Sequence, residues 1–219
     1  MRNRWAAATL AGLAWAGTAG AADPAPMTIF DGPAPAGWIT SKGKPLPTAN
    51  VQPDGLNPRK AGGYLVVHEA PHGNFELDFE YKIAPGCNTG VFLRVADLND
   101  PVNTGIEVAI EDDTVGTGLH SPGAFYDLAA PEVNAQRPAG EWNRMVIRAE
   151  GPKISITLNG RAVSKIDLDR FTEAGTRPDG SKHKFSKVIV KEMARTGYLG
   201  FQDHGGDCWF RAIKIRDLP

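Results

Sequence analysis

The sequence predicts an all-β protein, a two-sheet antiparallel sandwich or jelly roll, and three observations lead there. From Asn74 to Ile83, Phe75, Leu77, Phe79, Tyr81 and Ile83 alternate with Glu76, Asp78, Glu80 and Lys82. A period of two over ten residues belongs to a strand with one buried face. Short apolar runs recur along the rest of the chain, separated by turn residues drawn from 25 Gly and 17 Pro. Helical periodicity is nearly missing, and consecutive short strands with turn punctuation describe a sandwich.

Further strands are expected at Gly63–His68, Gly90–Val95, Gly105–Glu111, Ala124–Leu128, Trp142–Ala149, Lys153–Leu158, Arg161–Leu168, Tyr198–Gln202 and Trp209–Arg216. Asn159-Gly160 sits between Ile154/Ile156/Leu158 and Val163/Ile166. That pair marks a hairpin, because a type I′ turn wants positive φ at both central residues. Asp169–Lys187 is polar and reads as a long surface loop, and Val188–Arg195 has room for one helical turn. Burying the five apolar side chains of the 74–83 strand is worth on the order of 1.5–3 kcal/mol each, so its register is strongly held.

The first segment reads as an address. Arg2 and Arg4 precede an apolar stretch from Trp5 to Ala16, and Ala19 and Ala21 fit the small-x-small rule for cleavage. The stretch is too short to span a bilayer. Residues 1–22 are therefore expected to be a signal peptide, residues 23–219 a single domain, and the mature protein periplasmic or secreted. With 219 residues there is enough chain for one well-buried core. A net charge of -1 with no basic cluster argues against nucleic-acid binding. Cys87 and Cys208 would meet an oxidising compartment, and a bond between them would be worth about 4–5 kcal/mol in the chain-entropy model. Sequence leaves their pairing open, and neither has metal-ligand spacing.

Strand parity gives the candidate site. Val91, Leu93 and Val95 are expected inside, with Phe92 and Arg94 outside. In the next strand Val108 and Ile110 go in while Glu107, Ala109 and Glu111 go out. Leu199 and Phe201 go in, leaving Gln202 out, with Asp203 and His204 on the following turn. If these strands are neighbours, Arg94, Glu107, Gln202 and His204 meet on one outer face, with Glu80 as a further member. Such a mixture of acid, base and hydrogen-bonding groups suits a sugar. Glu107 and Glu111 lie four residues apart, hence ~13 Å at ~3.3 Å per residue, too far for the carboxyl pair of an ordinary glycosidase.

Several short motifs occur in order: Phe30-Asp31-Gly32 with Gly37-Trp38, Asn74-Phe75-Glu76-Leu77, Asn88-Thr89-Gly90-Val91-Phe92-Leu93-Arg94, Glu107-Val108-Ala109-Ile110, Pro138-Ala139-Gly140-Glu141-Trp142-Asn143, Leu158-Asn159-Gly160, and Gly197 through Gly205 with Gln202-Asp203-His204. From about residue 28 to the C-terminus the chain thereby resembles the 3-keto-disaccharide hydrolase family. The resemblance implies a concanavalin A-like, laminarinase-like jelly roll and a carbohydrate substrate. Ala109 stands where the family often has Gln, and Thr89 where Ser is common. Losing that amide would remove a substrate hydrogen bond that the resemblance implies, so the family's preferred sugar need not carry over.

A 3-keto sugar asks little of a protein. The ketone acidifies the C2 hydrogen, so a base can remove it to give an enediolate, and the C1 leaving group, β to the ketone, departs before water adds. One placed base is worth typically 10²–10⁴-fold. His204 is the leading candidate because imidazole titrates near neutrality, with Glu107 as base or orienting group. Arg94 and Gln202 would hold the keto and hydroxyl oxygens, with Glu80, Asn88 and Tyr126 as further substrate contacts. A divalent cation could take over the enediolate-stabilising role, although no spacing demands one. The alternative reading is a non-catalytic carbohydrate-binding, lectin-like module. It would use exposed aromatics, and beyond the leader only Trp38, Trp142 and Trp209 are tryptophans.

Overall fold

The structure, a computed structural model, describes residues 24–112 and 118–219. The expected leader therefore lies outside the described residues. Among the described residues thirteen strands follow in chain order: β1 (Met27–Phe30), β2 (Trp38–Thr40), β3 (Val51–Gln52), β4 (Gly55–Leu56), β5 (Leu65–His68), β6 (Phe75–Ile83), β7 (Asn88–Val95), β8 (Ile106–Glu111), β9 (Asn143–Glu150), β10 (Lys153–Leu158), β11 (Arg161–Asp167), β12 (Tyr198–Gln202) and β13 (Cys208–Asp217). One four-residue helix, Pro101–Thr104, joins β7 to β8.

The strands form two antiparallel sheets. The larger runs β11-β10-β9-β6-β13-β4-β3, with β1 added on β13; the smaller runs β2-β5-β12-β7-β8. The alternation in β6 is complete: Phe75, Leu77, Phe79, Tyr81 and Ile83 are all fully buried. They meet Val91, Leu93, Val108, Ile110, Leu199 and Phe201 from the smaller sheet in one core. Phe201 stacks on Phe210 of the other sheet at 3.9 Å between ring centres, with Phe79 edge-on to Phe201 at 5.6 Å. Facing apolar stripes are what hold two sheets together as a sandwich.

The Asn159-Gly160 hairpin is present, with φ of 51° and 80° at its two residues. The short β1 to β4 were not expected, because two to four residues carry no legible period. Ala124–Leu128 was expected as a strand. It makes instead single bridges, Val108↔Phe125 and Phe125↔Ala129, lying along the free edge of β8. The helical turn in 188–195 is the 3-10 segment Val190–Glu192. Cys87 and Cys208 are buried free thiols that act on each other's ionisation. No helix among the described residues is long and apolar enough to cross a membrane.

Candidate functional site

The candidate site lies on the outer face of the smaller sheet. The register pairs Phe92 with Glu107, Gly90 with Ala109 and Gly200 with Phe92, so these side chains share a face with Leu65 and Val67 of β5 and Gln202 of β12. Part of that face is closed by a small apolar layer: Leu65, Val67, Phe92 and Val95 are buried under Ile39, Tyr64, Leu98, Val102 and Tyr198. Glu107 and Gln202 lie beside it.

Glu107 is buried, with 9% of its surface exposed. Its carboxyl folds over Gly90: a Cβ built on Gly90 would stand 2.8 Å from Glu107 Oε1 and 3.0 Å from its Cγ. Glycine is needed there because any side chain would occupy the acid's place. No hydrogen bond or ion pair reaches this carboxyl among the described residues. Burial pushes its pKa up to about 7; the Lys184 ammonium opposes that rise and the Glu111 carboxylate adds to it. Losing hydration disfavours the charged form, so a buried carboxyl holds its proton until near neutrality.

Gln202 borders the other side of Gly90. Extending the register of Phe201 with Val91 sets it beside that glycine, and Thr89 Oγ1 donates to the Gln202 carbonyl at 2.8 Å. The Gln202 side chain is 3% exposed. Its Nε2 donates to the Tyr64 hydroxyl, while its buried Oε1 has no partner among the described residues. A buried amide oxygen left unpaired is an acceptor held ready for a hydroxyl group. Tyr64 in turn has its pKa raised, by burial first, and also by the charges of Glu107 and Tyr126, which places both rings and the acid in one neighbourhood. Tyr126 is fixed by its own amide, which donates to the Glu107 carbonyl at 2.9 Å, and its ring stacks on His120 at 4.3 Å.

Two expected members are elsewhere. Arg94 was placed outside by parity, but β7 carries a bulge there. The pairing slips between Tyr198↔Val95 and Gly200↔Phe92, and Arg94 has φ 53°. The extra residue sends Val95 to the outer layer and turns the arginine away from the site. Its guanidinium donates from Nε to Gly73 O at 2.9 Å and from Nη1 to Gly151 O at 2.6 Å, with Nη2 3.4 Å from Asn74 Oδ1. Glu80 is on β6 and so on the outer face of the opposite sheet, where Arg211 Nε donates to it at 2.7 Å. It cannot meet Glu107.

Asn88 shares the face of Glu107 but pairs with Glu111 at the far end of β8. His204 is exposed on the turn after β12 and makes no hydrogen bond among the described residues. Along the continued register it falls beside Asn88, four residues or about 13 Å along the strands from the Glu107 row. Sequence reading missed Tyr64 and Lys184. The Gly62-Gly63-Tyr64 approach to a strand was a signal for the first, whereas a lysine in a polar loop gives none. Among the described residues no group of three or more His, Cys, Asp or Glu is placed to hold a metal ion.

A buried acid poised near neutrality beside an unpaired amide and two tyrosines can move a proton on a hydroxylated ligand. Comparison with known proteins agrees with carbohydrate chemistry. The chain is 24% identical over 228 residues to a 3-keto-disaccharide hydrolase of Bacteroides thetaiotaomicron, covering 88% of this chain and 78% of that one. A putative glycosyl hydrolase from Parabacteroides distasonis superposes with a TM-score of 0.68 at 29% identity, covering 83% of this chain and 99% of the other. A second from the same organism has a TM-score of 0.68 at 22% identity, covering 87% and 93%, and shows the shared fold. Residues 25–216 match the model of the 3-keto-alpha-glucoside-1,2-lyase-like domain, and the chain belongs to that family of enzymes acting on glycosides.

Proposed function

We propose that the protein cleaves the glycosidic bond of 3-keto-glycosides or 3-keto-disaccharides, with Glu107 as the base at C2. The observation that carries this reading is the Glu107 carboxyl, buried over Gly90 with no hydrogen bond or ion pair among the described residues and pushed up to about 7. At neutral pH a substantial share is ionised and able to accept a proton, and the remainder can donate one, which is the balance general acid–base catalysis needs. The carboxylate takes the C2 proton. The C–H electron pair moves into the C2–C3 bond and the carbonyl pair moves onto the C3 oxygen, giving the enediolate. Collapse of that enediolate expels the C1 oxygen with its bonding pair, and the leaving oxygen picks up a proton. Water then adds across the resulting double bond. Gln202 Oε1 and the Tyr64 and Tyr126 hydroxyls are the groups available to hold the sugar's hydroxyls.

The lectin-like alternative has less support. Trp38 is buried, while Trp142 and Trp209 lie on the opposite sheet under Lys82 and Arg211. The test is incubation of pure protein with a 3-keto-glucoside and with its unoxidised parent. Release of sugar from the first alone, slowed by deuterium at C2 and lost in Glu107→Gln, is the expected result. Binding without release would leave a carbohydrate-binding module. Activity intact in Glu107→Gln would remove the acid from the mechanism. Export is proposed on the leader alone, and N-terminal sequencing of the protein from its native host tests it.

A further inference from the structure

Proton transfer to Glu107 leaves negative charge on the substrate's keto oxygen, which a facing cation would stabilise. Arg94 is bound to backbone carbonyls at the far side of its bulge and is not available. Among the described residues, the cation that acts on Glu107 is Lys184, from the polar loop between β11 and β12. Its Nζ lies 3.8 Å from the centre of the Tyr126 ring and 5.3 Å from that of Phe185. No carboxylate pairs with the ammonium among the described residues, so its charge is steadied by ring faces without being neutralised.

The loop that carries Lys184 is fastened to the site strand. The Lys184 amide donates to the Asp127 carboxylate. Arg177 Nη2 donates to Asp127 Oδ1 at 2.8 Å and to Asp127 O at 2.6 Å, a pair that is only 11% and 14% exposed. Asp127 follows Tyr126, whose amide is bonded to Glu107 O. The neighbouring His183 is buried against Phe171 and Phe185, which seats the loop on the core side. Loop position and acid position are therefore linked through consecutive hydrogen bonds.

We infer that Lys184 is a catalytic residue whose ammonium, seated on the Tyr126 ring, holds the enediolate oxygen while Glu107 carries the C2 proton. The inference rests on the reading of Glu107 as base. Removing a preorganised donor to a developing oxyanion costs about 10²–10³-fold in kcat. Of the charges that act on Glu107, Lys184 is the one cation, opposed by the Glu111 carboxylate, while Tyr64 feels both Glu107 and Tyr126.

The experiment compares wild type, Lys184→Met and Lys184→Arg on a 3-keto-glucoside across pH, beside Glu107→Gln. Lys184 is exposed, so all three lysine-site proteins are expected to fold with unchanged circular dichroism. For Lys184→Met the expected result is a kcat lower by about 10²-fold or more with a much smaller change in KM. The acid limb of its kcat/KM profile moves to higher pH, and Lys184→Arg recovers to within about tenfold of wild type. Carboxyl-carbon NMR titration of Glu107 gives a readout independent of turnover, with its midpoint higher in Lys184→Met. Wild-type kcat in Lys184→Met, or an unmoved Glu107 titration, overturns the inference. An inactive Glu107→Gln in the same experiment would show that the base assignment survives it. Failure of the wild type to cleave any 3-keto-glucoside overturns the underlying reading and this inference together.

Discussion

The two outer faces of the sandwich carry charge in opposite ways. On the larger sheet, Arg144 grips Asp78 with bonds of 2.8 and 2.6 Å, Arg148 bridges Glu76 and Glu150, Arg216 adds to Glu76, and Arg211 holds Glu80. In the concavity of about 520 Å³ there, three of the polar lining groups are already matched, Asp54 with Lys82, Gln52 with Trp209 and Arg211 with Glu80, while Asp31 is exposed to solvent. On the smaller sheet one acid is buried with no counter-ion bonded to it, beside an amide oxygen without a partner. The first face is a lattice of surface ion pairs, each worth little, and the second stores unsatisfied groups that a ligand can satisfy. The difference teaches that paired charge marks a solvated surface, while unpaired buried polarity marks chemistry.

The sharpest way to break this comparison is to neutralise one acid on each face. Glu107→Gln is expected to lower turnover of a 3-keto-glucoside by about 10²–10⁴-fold, whereas Glu80→Gln should change it by less than about twofold. Equal effects in steady-state kinetics would erase the distinction.

Arg94→Met comes next. It removes a buried side chain that serves the half-buried carbonyls of Gly73 and Gly151, so denaturant unfolding should show a loss of about 3 kcal/mol. A variant that unfolds like wild type yet is inactive would return Arg94 to the substrate.

The pH dependence of stability is a third handle. Glu107 titrates near 4.5 when unfolded and at about 7 when folded. The unfolded chain releases this proton first, so stability falls as pH rises from about 4.5 to 7, by up to about 3 kcal/mol. Below that window the penalty is absent, and above it the loss is complete. Glu107→Gln removes the term, so it should be more stable than wild type at pH 8 and no more stable at pH 4. A constant difference in melting temperature across pH would contradict the buried, unpaired carboxyl.

A smaller effect separates the two candidate bases. His204→Ala should stay within about tenfold of wild-type turnover if the carboxylate does the work, and a loss of 10²–10⁴-fold would give the role to the imidazole. Smallest of all, Arg148→Met on the ion-pair face should cost about 1 kcal/mol or less, and that loss should shrink with added salt.

Much of the fold was legible because burial writes itself into a period of two. Phe75 to Ile83 state which face of β6 is inside, and Asn159-Gly160 states where the chain turns. The parity that placed Glu107 and Gln202 together holds because β7, β8 and β12 are regular at those residues. It failed for Arg94, where a single extra residue in the bulge reverses every later side chain. It failed for Glu80 because alternation names a face but not which of two sheets owns the strand.

The sequence alone determined strand positions, inside and outside at each regular strand, and the likeness to an enzyme family, since these depend on local pattern and order. Only the tertiary structure decided that no hydrogen bond or ion pair reaches the Glu107 carboxyl among the described residues, that Gly90 makes its room, and that the charge of Lys184, 77 residues further on, acts on it. Desolvation and electrostatic reach depend on distance through space. The chain's linear order carries that distance only where neighbouring strands keep their register.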